Sequence, residues 1–188
     1  MLPKWVVGID YSMTCPALTI ISQEAAFGFE QCRLYYLADK LPKDTFLNID
    51  GTRLPAFESN EERFDHISNW AMFKIRECAG DDPVAAFIED YSYASHGKVF
   101  HIAENAGLCK HKLWCAGYPI TPVPPTVIKK FATTKGNATK DQMYEAFLRD
   151  TNIDLMAVFQ PKAQKVGSPV GDLVDSFYIC KYGFCSLT

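Results

Sequence analysis

Four carboxylates in this sequence occupy positions that suit a catalytic or metal-binding group. Asp10 ends the apolar run VVGI, and Glu89 ends a second apolar run, AAFI. If these runs form neighbouring strands, both side chains emerge at one edge of a sheet. Asp172 and Asp175 are spaced i, i+3 near a predicted helix start, so they share one side of that helix.

Four carboxylates at one place would repel one another, and divalent cations would relieve that repulsion. Oxygen ligands suit Mg²⁺ or Mn²⁺. Two such ions can activate a water and stabilise the leaving oxygen in phosphodiester hydrolysis. Each acid alone also has a simpler interpretation: a turn residue after a strand, or an acid that favours a helix N-terminus. Asp90 should point away from Glu89, and we interpret it as structural.

The elements that must hold these acids follow from the apolar patterns. With 188 residues, 48% of them hydrophobic and 22% charged, the chain is predicted to form a single globular domain over 1–188. Trp5–Asp10, Ala17–Ser22 and residues 31–37 predict a three-stranded antiparallel meander. Residues 38–58 are polar, with prolines and a glycine, and predict a long loop.

The remainder alternates between helices and strands. A capping box at Ser59 begins one helix, and an apolar stripe predicts another over about 98–116. Two further strands are predicted at 84–88 and 118–123, and three later helices begin near Thr126, at Thr139 and at Ser168, with Ser168 as N-cap. We therefore expect an α/β fold with one mixed five-stranded sheet, helices on both faces, and the first strand beside the fourth.

The net charge of −3 hides an uneven distribution. Residues 1–90 hold eight basic and fifteen acidic residues, whereas residues 91–140 hold seven basic residues and one acid. Such a basic segment favours a polyanionic partner despite the acidic total. The seven lysines are Lys98, Lys110, Lys112, Lys129, Lys130, Lys135 and Lys140.

The other reactive side chains point to a reduced, intracellular protein. Seven cysteines with no CxxC spacing predict free thiols, mostly buried, and give no zinc site; Cys109 and Cys115 are predicted in the core. No apolar run is long enough for a membrane span, and Asp10 interrupts the N-terminal run too early for a signal peptide. We expect a cytoplasmic location, in the host cytoplasm if the protein is encoded by a phage.

Four blocks of sequence resemble the RuvC family of Holliday junction resolvases, within the RNase H-like superfamily. VVGIDYS resembles the block with the first catalytic Asp, FIEDYSY the block with the Glu, and VGDLVDSFYIC the terminal Asp-x-x-Asp helix. VIKKFATTKGNATKDQM resembles the basic block of the family. Tyr11-Ser12 replaces the usual Pro-Gly after the first Asp, and the 38–58 insert lengthens the chain, which suggests a divergent, phage-type member.

The resemblance implies a crossover junction endodeoxyribonuclease that uses two Mg²⁺ or Mn²⁺ ions held by Asp10, Glu89, Asp172 and Asp175. Cleavage would leave 5′-phosphate and 3′-hydroxyl ends. Members act as homodimers on four-way junctions, and the helix over 98–116 helps to form the dimer. Its apolar stripe therefore either faces a partner or simply packs on the sheet.

The resemblance also ranks the side chains expected to contact DNA. Lys129 and Lys140 match DNA-contacting lysines of the family, and phosphate contacts of this kind are largely independent of sequence. An aromatic residue after the Glu stacks on a base in relatives, but Ser92 is in register, so Tyr91 or Tyr93 would substitute or pack in the core. The predicted DNA-binding set is Lys129, Lys130, Lys135, Lys140, Tyr91, Tyr93 and Lys98.

Two other functions share these features. A related RNase H-like nuclease acting on RNA–DNA hybrids or flaps would need the same acids, whereas a non-catalytic junction-binding module would keep the lysines and tolerate loss of any acid. His96, His101 and His111 are open to water activation, phosphate contact or ordinary packing. The order of preference among junctions, flaps and forks is not encoded in any of these motifs.

Overall fold

The computed structural model describes residues 2–90 and 99–188. Within them, seven strands form one mixed sheet in the order β4-β5-β3-β2-β1-β6-β7. The strands are β1 (Trp5–Asp10), β2 (Ala17–Ser22), β3 (Arg33–Ala38), β4 (Thr45–Phe46), β5 (Ile49–Arg53), β6 (Val84–Glu89) and β7 (Ile120–Val123). The helices are α1 (Asn60–Ala79), α2 (Val99–Cys115), α3 (Pro125–Thr133), α4 (Lys140–Thr151), α5 (Leu155–Phe159) and α6 (Val170–Leu187).

Strand β1 lies at the centre, as its fully apolar pattern predicted. It pairs antiparallel with β2 and parallel with β6. β2 and β3 are also antiparallel, which confirms the predicted three-stranded meander. The parallel β1–β6 pair matters most, because it brings the carboxyl ends of both strands to one edge of the sheet.

Two helical layers cover the sheet, which confirms helices on both faces. Val7 and Ile9 of β1 pack with α1 and α2, whereas Val6, from the alternate positions of the same strand, packs with α6 and its neighbours. Because successive strand residues face opposite sides, the face of each β1 residue is set by its position in the sequence.

The expected number of strands was wrong. The stretch 38–58, predicted as a loop, contributes β4 and β5, which extend the sheet beyond β3. β5 reads IDGTR, and Ile49 is its single apolar residue, so it carries no alternating pattern. Its parallel pairing with β3 supplies the hydrogen bonds that local sequence does not predict.

The helix starts are mostly as predicted. Ser59 accepts a hydrogen bond from the Glu62 backbone, and Thr139 and Gln142 form a complete capping box. Ser168 is not the N-cap of the last helix: α6 begins one residue later, after Pro169, and no side chain caps it. Helix α5 was not predicted, because five residues are too few to show a helical period. No helix in the described ranges is both long and apolar enough to cross a membrane.

Candidate active site

Asp10 and Glu89 lie side by side at the end of the central strand pair. Ile9 of β1 is in register with Ile88 of β6, so the next residue of each strand is an acid. Val6 and Asp10 share one face of β1, and Phe87 and Glu89 share the same face of β6, because side chains alternate. Both carboxylates therefore point to the side of the sheet that α6 covers.

Asp172 and Asp175 lie in the first two turns of α6, directly over this edge. Successive residues on one side of α6 are three or four positions apart, and one such row contains Asp172, Ser176, Cys180 and Gly183. This row faces the sheet: a methyl group on Gly8 would overlap the backbone of Ser176 and Cys180, and one on Gly183 would overlap the Phe87 ring. Two glycines thus allow α6 to lie close enough for its acids to approach Asp10 and Glu89.

A buried hydroxyl pair fixes the position of α6 along the sheet. The hydroxyls of Thr19 on β2 and Ser176 on α6 are 2.9 Å apart, and both residues are fully buried. Ser176 donates to the Leu173 carbonyl at 2.9 Å. Since a hydroxyl has one hydrogen, Thr19 is then the donor to Ser176. A slip of α6 by one turn would leave the Thr19 hydroxyl without this partner in the core.

The four acids influence one another strongly. Burial, followed by repulsion from Glu89, Asp172 and Asp175, raises the pKa of Asp10 well above its ordinary value. Burial also raises the pKa of Glu89, whereas the positive charges of Lys129 and Lys140 lower it. The pKa of Asp175 rises to about 7, through burial and then the charge of Glu89. Perturbed acids that cluster in this way are typical of functional sites.

These residues fit a hard divalent cation in chemistry. The side chains of Asp10 and Asp172 are only 8% and 7% exposed, and Asp172 Oδ2 has no hydrogen-bond partner among the described residues. A buried carboxylate oxygen without a partner is costly, and a cation would satisfy it. No three His, Cys, Asp or Glu side chains in the described ranges converge as a ready-made metal cage.

Repulsion within the site gives a testable pH dependence. Asp175 holds a proton up to about pH 7 in the folded protein, against an ordinary pKa of 3.8. Between these values the folded state binds the extra proton, so stability must fall as pH rises from about 4 to about 7. We expect Asp175→Asn to raise the free energy of unfolding by about 1–3 kcal/mol at pH 8 without divalent cations, and to flatten the decline.

Thermal melting of both proteins at pH 5 and pH 8, in the presence of chelator, measures this effect. Asp81→Asn, which neutralises an exposed acid in the turn after α1, is the matched control. An Asp175→Asn protein that loses as much stability as the wild type between the two pH values would contradict the prediction.

The lysines of the basic segment divide into two groups. Lys129 and Lys140 lie close enough to the acids to lower the pKa of Glu89 and Asp175. Lys140 lies against the start of α6, since a methyl group on Gly171 would be 3.3 Å from its Nζ. Lys130 is exposed on α3, and Lys135 is exposed in the segment that follows this helix.

One lysine of the basic segment has a role within the fold. Lys112 Nζ lies 2.6 Å from Asp65 Oδ1 and 2.6 Å from Asn69 Oδ1, so it joins α2 to α1. Its charge is engaged within the fold because α1 and α2 pack against each other, which the sequence alone did not reveal. Tyr91, Tyr93, Lys98 and His96 lie outside the described residues, and their roles stay predictions.

The cysteine and histidine predictions have mixed outcomes. All seven cysteines are free, and Cys109 is buried, as expected. Cys115 is exposed, because it ends α2 beyond the last residue that contacts the core. His101 lies 3.2 Å from Glu104, and His111 stacks on Trp114, so both have local partners away from the acids.

The apolar stripe of α2 mostly packs within the chain. Cys109 and Leu113 are buried against the sheet and α1, and Ala106 is also buried, whereas Val99 at the start of the stripe is 44% exposed. A different side of the helix carries the exposed aromatics Phe100 and Trp114, which the sequence analysis did not single out. Their spacing of fourteen residues, four helical turns, places them on one outer side.

Sequence reasoning also missed two polar residues beside the acids. Arg63 of α1 and Asn105 of α2 line a cavity together with Asp10 and Glu89. A signal for Asn105 was available, because it lies between Ile102 and Cys109 on the buried side of α2. Arg63 gave no such signal, since an arginine in the first turns of a helix is ordinary.

Part of the chain is similar in sequence to a known protein. A stretch of 72 residues, 38% of this chain, is 31% identical to crossover junction endodeoxyribonuclease RuvC from Synechococcus sp. (strain CC9311). The match spans 45% of that relative, less than half its length. No family model matches the chain.

Solved structures are similar over nearly the whole chain. RuvC from Thermus thermophilus in complex with a Holliday junction substrate has a TM-score of 0.63 and 16% identity, over 98% of this chain and 97% of that one. A second Thermus thermophilus RuvC structure has a TM-score of 0.60 and 16% identity, over 97% and 95%. Ydc2, the yeast mitochondrial Holliday junction resolvase, has a TM-score of 0.57 and 13% identity, over 100% of this chain and 80% of its own. The chain therefore shares the fold of these structures, and 72 of its residues are similar in sequence to a RuvC protein.

Proposed function

We propose that this protein is a metal-dependent, structure-specific endonuclease that resolves Holliday junctions and related branched DNA. The observation that carries the proposal is the meeting of Asp10, Glu89, Asp172 and Asp175 at one sheet edge, on the fold of RuvC. Fold alone does not specify an activity, so the acids carry the chemical part of the proposal. The RuvC relatives named above supply the substrate class.

The four acids would hold the cations, as Mg²⁺ or Mn²⁺, with two ions in the site. When bound, the cations supply activation of water for in-line attack and stabilisation of the leaving oxygen. Burial keeps Asp10 in a fixed orientation, and the α6 packing on Gly8 brings Asp172 and Asp175 to it. Cleavage would leave 5′-phosphate and 3′-hydroxyl ends.

Lys129, Lys130, Lys135 and Lys140 would contact the phosphates that flank the cut. The charge contributions of Lys129 and Lys140 to the acids support this, because a phosphate at the acids would lie within their reach. Such contacts position the backbone and carry no sequence information.

The test is cleavage of a four-way junction labelled on each strand in turn, with Mg²⁺ or Mn²⁺. We expect cuts near the crossover, ends that a ligase can seal directly, and no cuts in chelator. The panel includes flaps, Y-forks and RNA–DNA hybrids, because the alternative of a different RNase H-like nuclease shares all four acids. Tight junction binding without any cut would support the alternative of a binding module.

A homodimer is part of the proposal, with the outer side of α2 as the contact. Phe100 and Trp114 on this side are 81% and 71% exposed, and large aromatic side chains are enriched at protein–protein interfaces. We expect Phe100→Glu with Trp114→Glu to convert a dimer to a monomer in light scattering, and to replace paired cuts by single nicks in a junction.

Phe73→Glu is the matched control, because Phe73 is 61% exposed on α1 and should leave the dimer unchanged. A wild-type protein that stays monomeric at micromolar concentration would contradict the dimer, independently of whether it cuts junctions.

A further inference from the structure

A second set of polar side chains flanks the acids, on the face of the sheet opposite to Lys129 and Lys140. The two lysines belong to α3 and α4, which pack on the α6 side, whereas Arg63 and Asn105 belong to α1 and α2 on the other side. Arg63 and Asn105 line a cavity of about 340 Å³ whose wall also includes Asp10 and Glu89. A strand crossing the sheet edge at the acids would therefore meet both sets.

Asn105 is buried and has a hydrogen-bond acceptor unused by the described residues, as expected of a side chain that binds a ligand. It is 1% exposed, and its Oδ1 has no hydrogen-bond partner in the described part of the chain. A buried amide oxygen without a partner costs free energy, so some compensation is expected at this position. Met13 and Ile102 add apolar wall to the same cavity. An amide beside apolar wall suits the edge and face of a nucleobase.

Arg63 connects this cavity to a second one. It also lines a cavity of about 660 Å³ that includes Lys40 and Arg53, with Asp39 as the acid among the lining residues. None of these three cations forms an ion pair within the described ranges, and the Arg63 guanidinium lies over the Phe57 ring, 5.6 Å from its centre. Unpaired cations along a groove suit phosphates rather than a neutral ligand.

We propose that these two cavities form a second DNA-strand site, on the opposite side of the cut from the lysines. The Asn105 cavity would take one unstacked nucleotide next to the scissile phosphate, and Arg63, Arg53 and Lys40 would contact the phosphates that follow. This rests on the proposed nuclease function and specifies where the strand runs. Lys40 and Arg53 come from the 38–58 insert, so the insert serves DNA binding.

The groove is tested by binding, without any cleavage. The test variant combines Lys40→Gln with Arg53→Gln in an Asp10→Asn background. The control variant combines Lys162→Gln with Lys165→Gln in the same background, which removes the same charge from exposed lysines that line neither cavity. We expect the first pair to weaken junction binding and to lower the slope of log affinity against log salt by about 0.7–0.9 for each lost phosphate contact. Equal salt slopes for the test and control variants would show that Lys40 and Arg53 do not contact phosphates, and the proposed groove would be wrong.

The nucleotide cavity is tested with junctions that carry one abasic residue at successive positions around the cut. We expect an abasic residue at one position to weaken binding by the wild type about tenfold. The same abasic residue should hardly change binding by Asn105→Ala, which already lacks the contact. If the abasic residue weakens binding equally in Asn105→Ala and in the wild type, or in neither, the Asn105 cavity does not hold a nucleotide and the proposal is wrong. Thermal melting of Asn105→Ala checks that it folds.

These outcomes separate the two proposals. A wild type that binds junctions but never cuts them contradicts the nuclease function and leaves the binding comparisons interpretable. A wild type that cuts junctions normally, with equal salt slopes and no abasic effect, contradicts only the second strand site.

Discussion

Asp10→Asn should cut a four-way junction at least about a thousandfold more slowly than the wild type, while binding it with similar affinity. In the proposed site Asp10 is a cation ligand, and its loss would remove several kcal/mol of charge stabilisation in the transition state, where each 1.4 kcal/mol is a factor of ten in rate. Binding should persist because the proposal assigns the phosphate contacts to the lysines and not to the acids. The measurement is single-turnover cleavage with Mg²⁺, alongside a binding titration in chelator.

The same variant should be at least as thermally stable as the wild type without cations. Burial and three neighbouring acids raise the pKa of Asp10, so a neutral amide removes repulsion from the core. A loss of activity with a raised melting temperature could not be attributed to unfolding. Asp90→Asn, which changes the next acid after Glu89, is the control and should keep its activity. Wild-type rates in Asp10→Asn would contradict the assignment of the site.

Gly8→Ala should impair both stability and cleavage, although residue 8 lies two positions before the nearest acid. Its methyl group would overlap the backbone of Ser176 and Cys180, so α6 must move away from β1. Overpacking of this kind typically costs about 1–3 kcal/mol. Displacement of Asp172 and Asp175 by about 1 Å should slow cleavage about a hundredfold. Denaturant unfolding and single-turnover rates measure the two effects.

Gly28→Ala makes the same chemical change where it should cost little. There the added methyl meets only the end of the exposed Gln31 side chain, which can rotate away. The conformation of Gly28 is extended, so any residue can adopt it. A Gly8→Ala protein as stable and as active as Gly28→Ala would show that α6 tolerates a shift and that its close approach does not set the geometry of the site.

The order of elements and the grouping of the acids could be predicted from the chain because strong local signals mark them. The unbroken apolar runs before Asp10 and Glu89 indicate strands buried on both faces, and such strands belong at the centre of a sheet. The i, i+3 spacing of Asp172 and Asp175 fixes their common side on any helix. Neither inference needed knowledge of which elements touch.

Features that depend on contacts between distant residues were missed or misassigned. β5 forms by pairing with β3 and carries almost no pattern of its own. Lys112 was counted in the basic segment that favours a polyanionic partner, yet it bonds to Asp65 and Asn69 of another helix. The cavity of Arg63 and Asn105 exists because α1 and α2 pack on the same face beside the acids. Each of these depends on a long-range contact.

The residue types and their spacing along the chain specify four carboxylates at strand ends and on one helix side, with a basic segment between Glu89 and Asp172. The folded structure adds the close approach of α6 to β1, at which these acids perturb one another, because that distance depends on the missing side chain of Gly8 and on the Thr19–Ser176 hydroxyl pair. The folded structure also places lysines beside the acids on one face of the sheet, and Arg63 and Asn105 beside them on the other. Residue types show which side chains carry charge, but only packing determines which of them lie next to the acids.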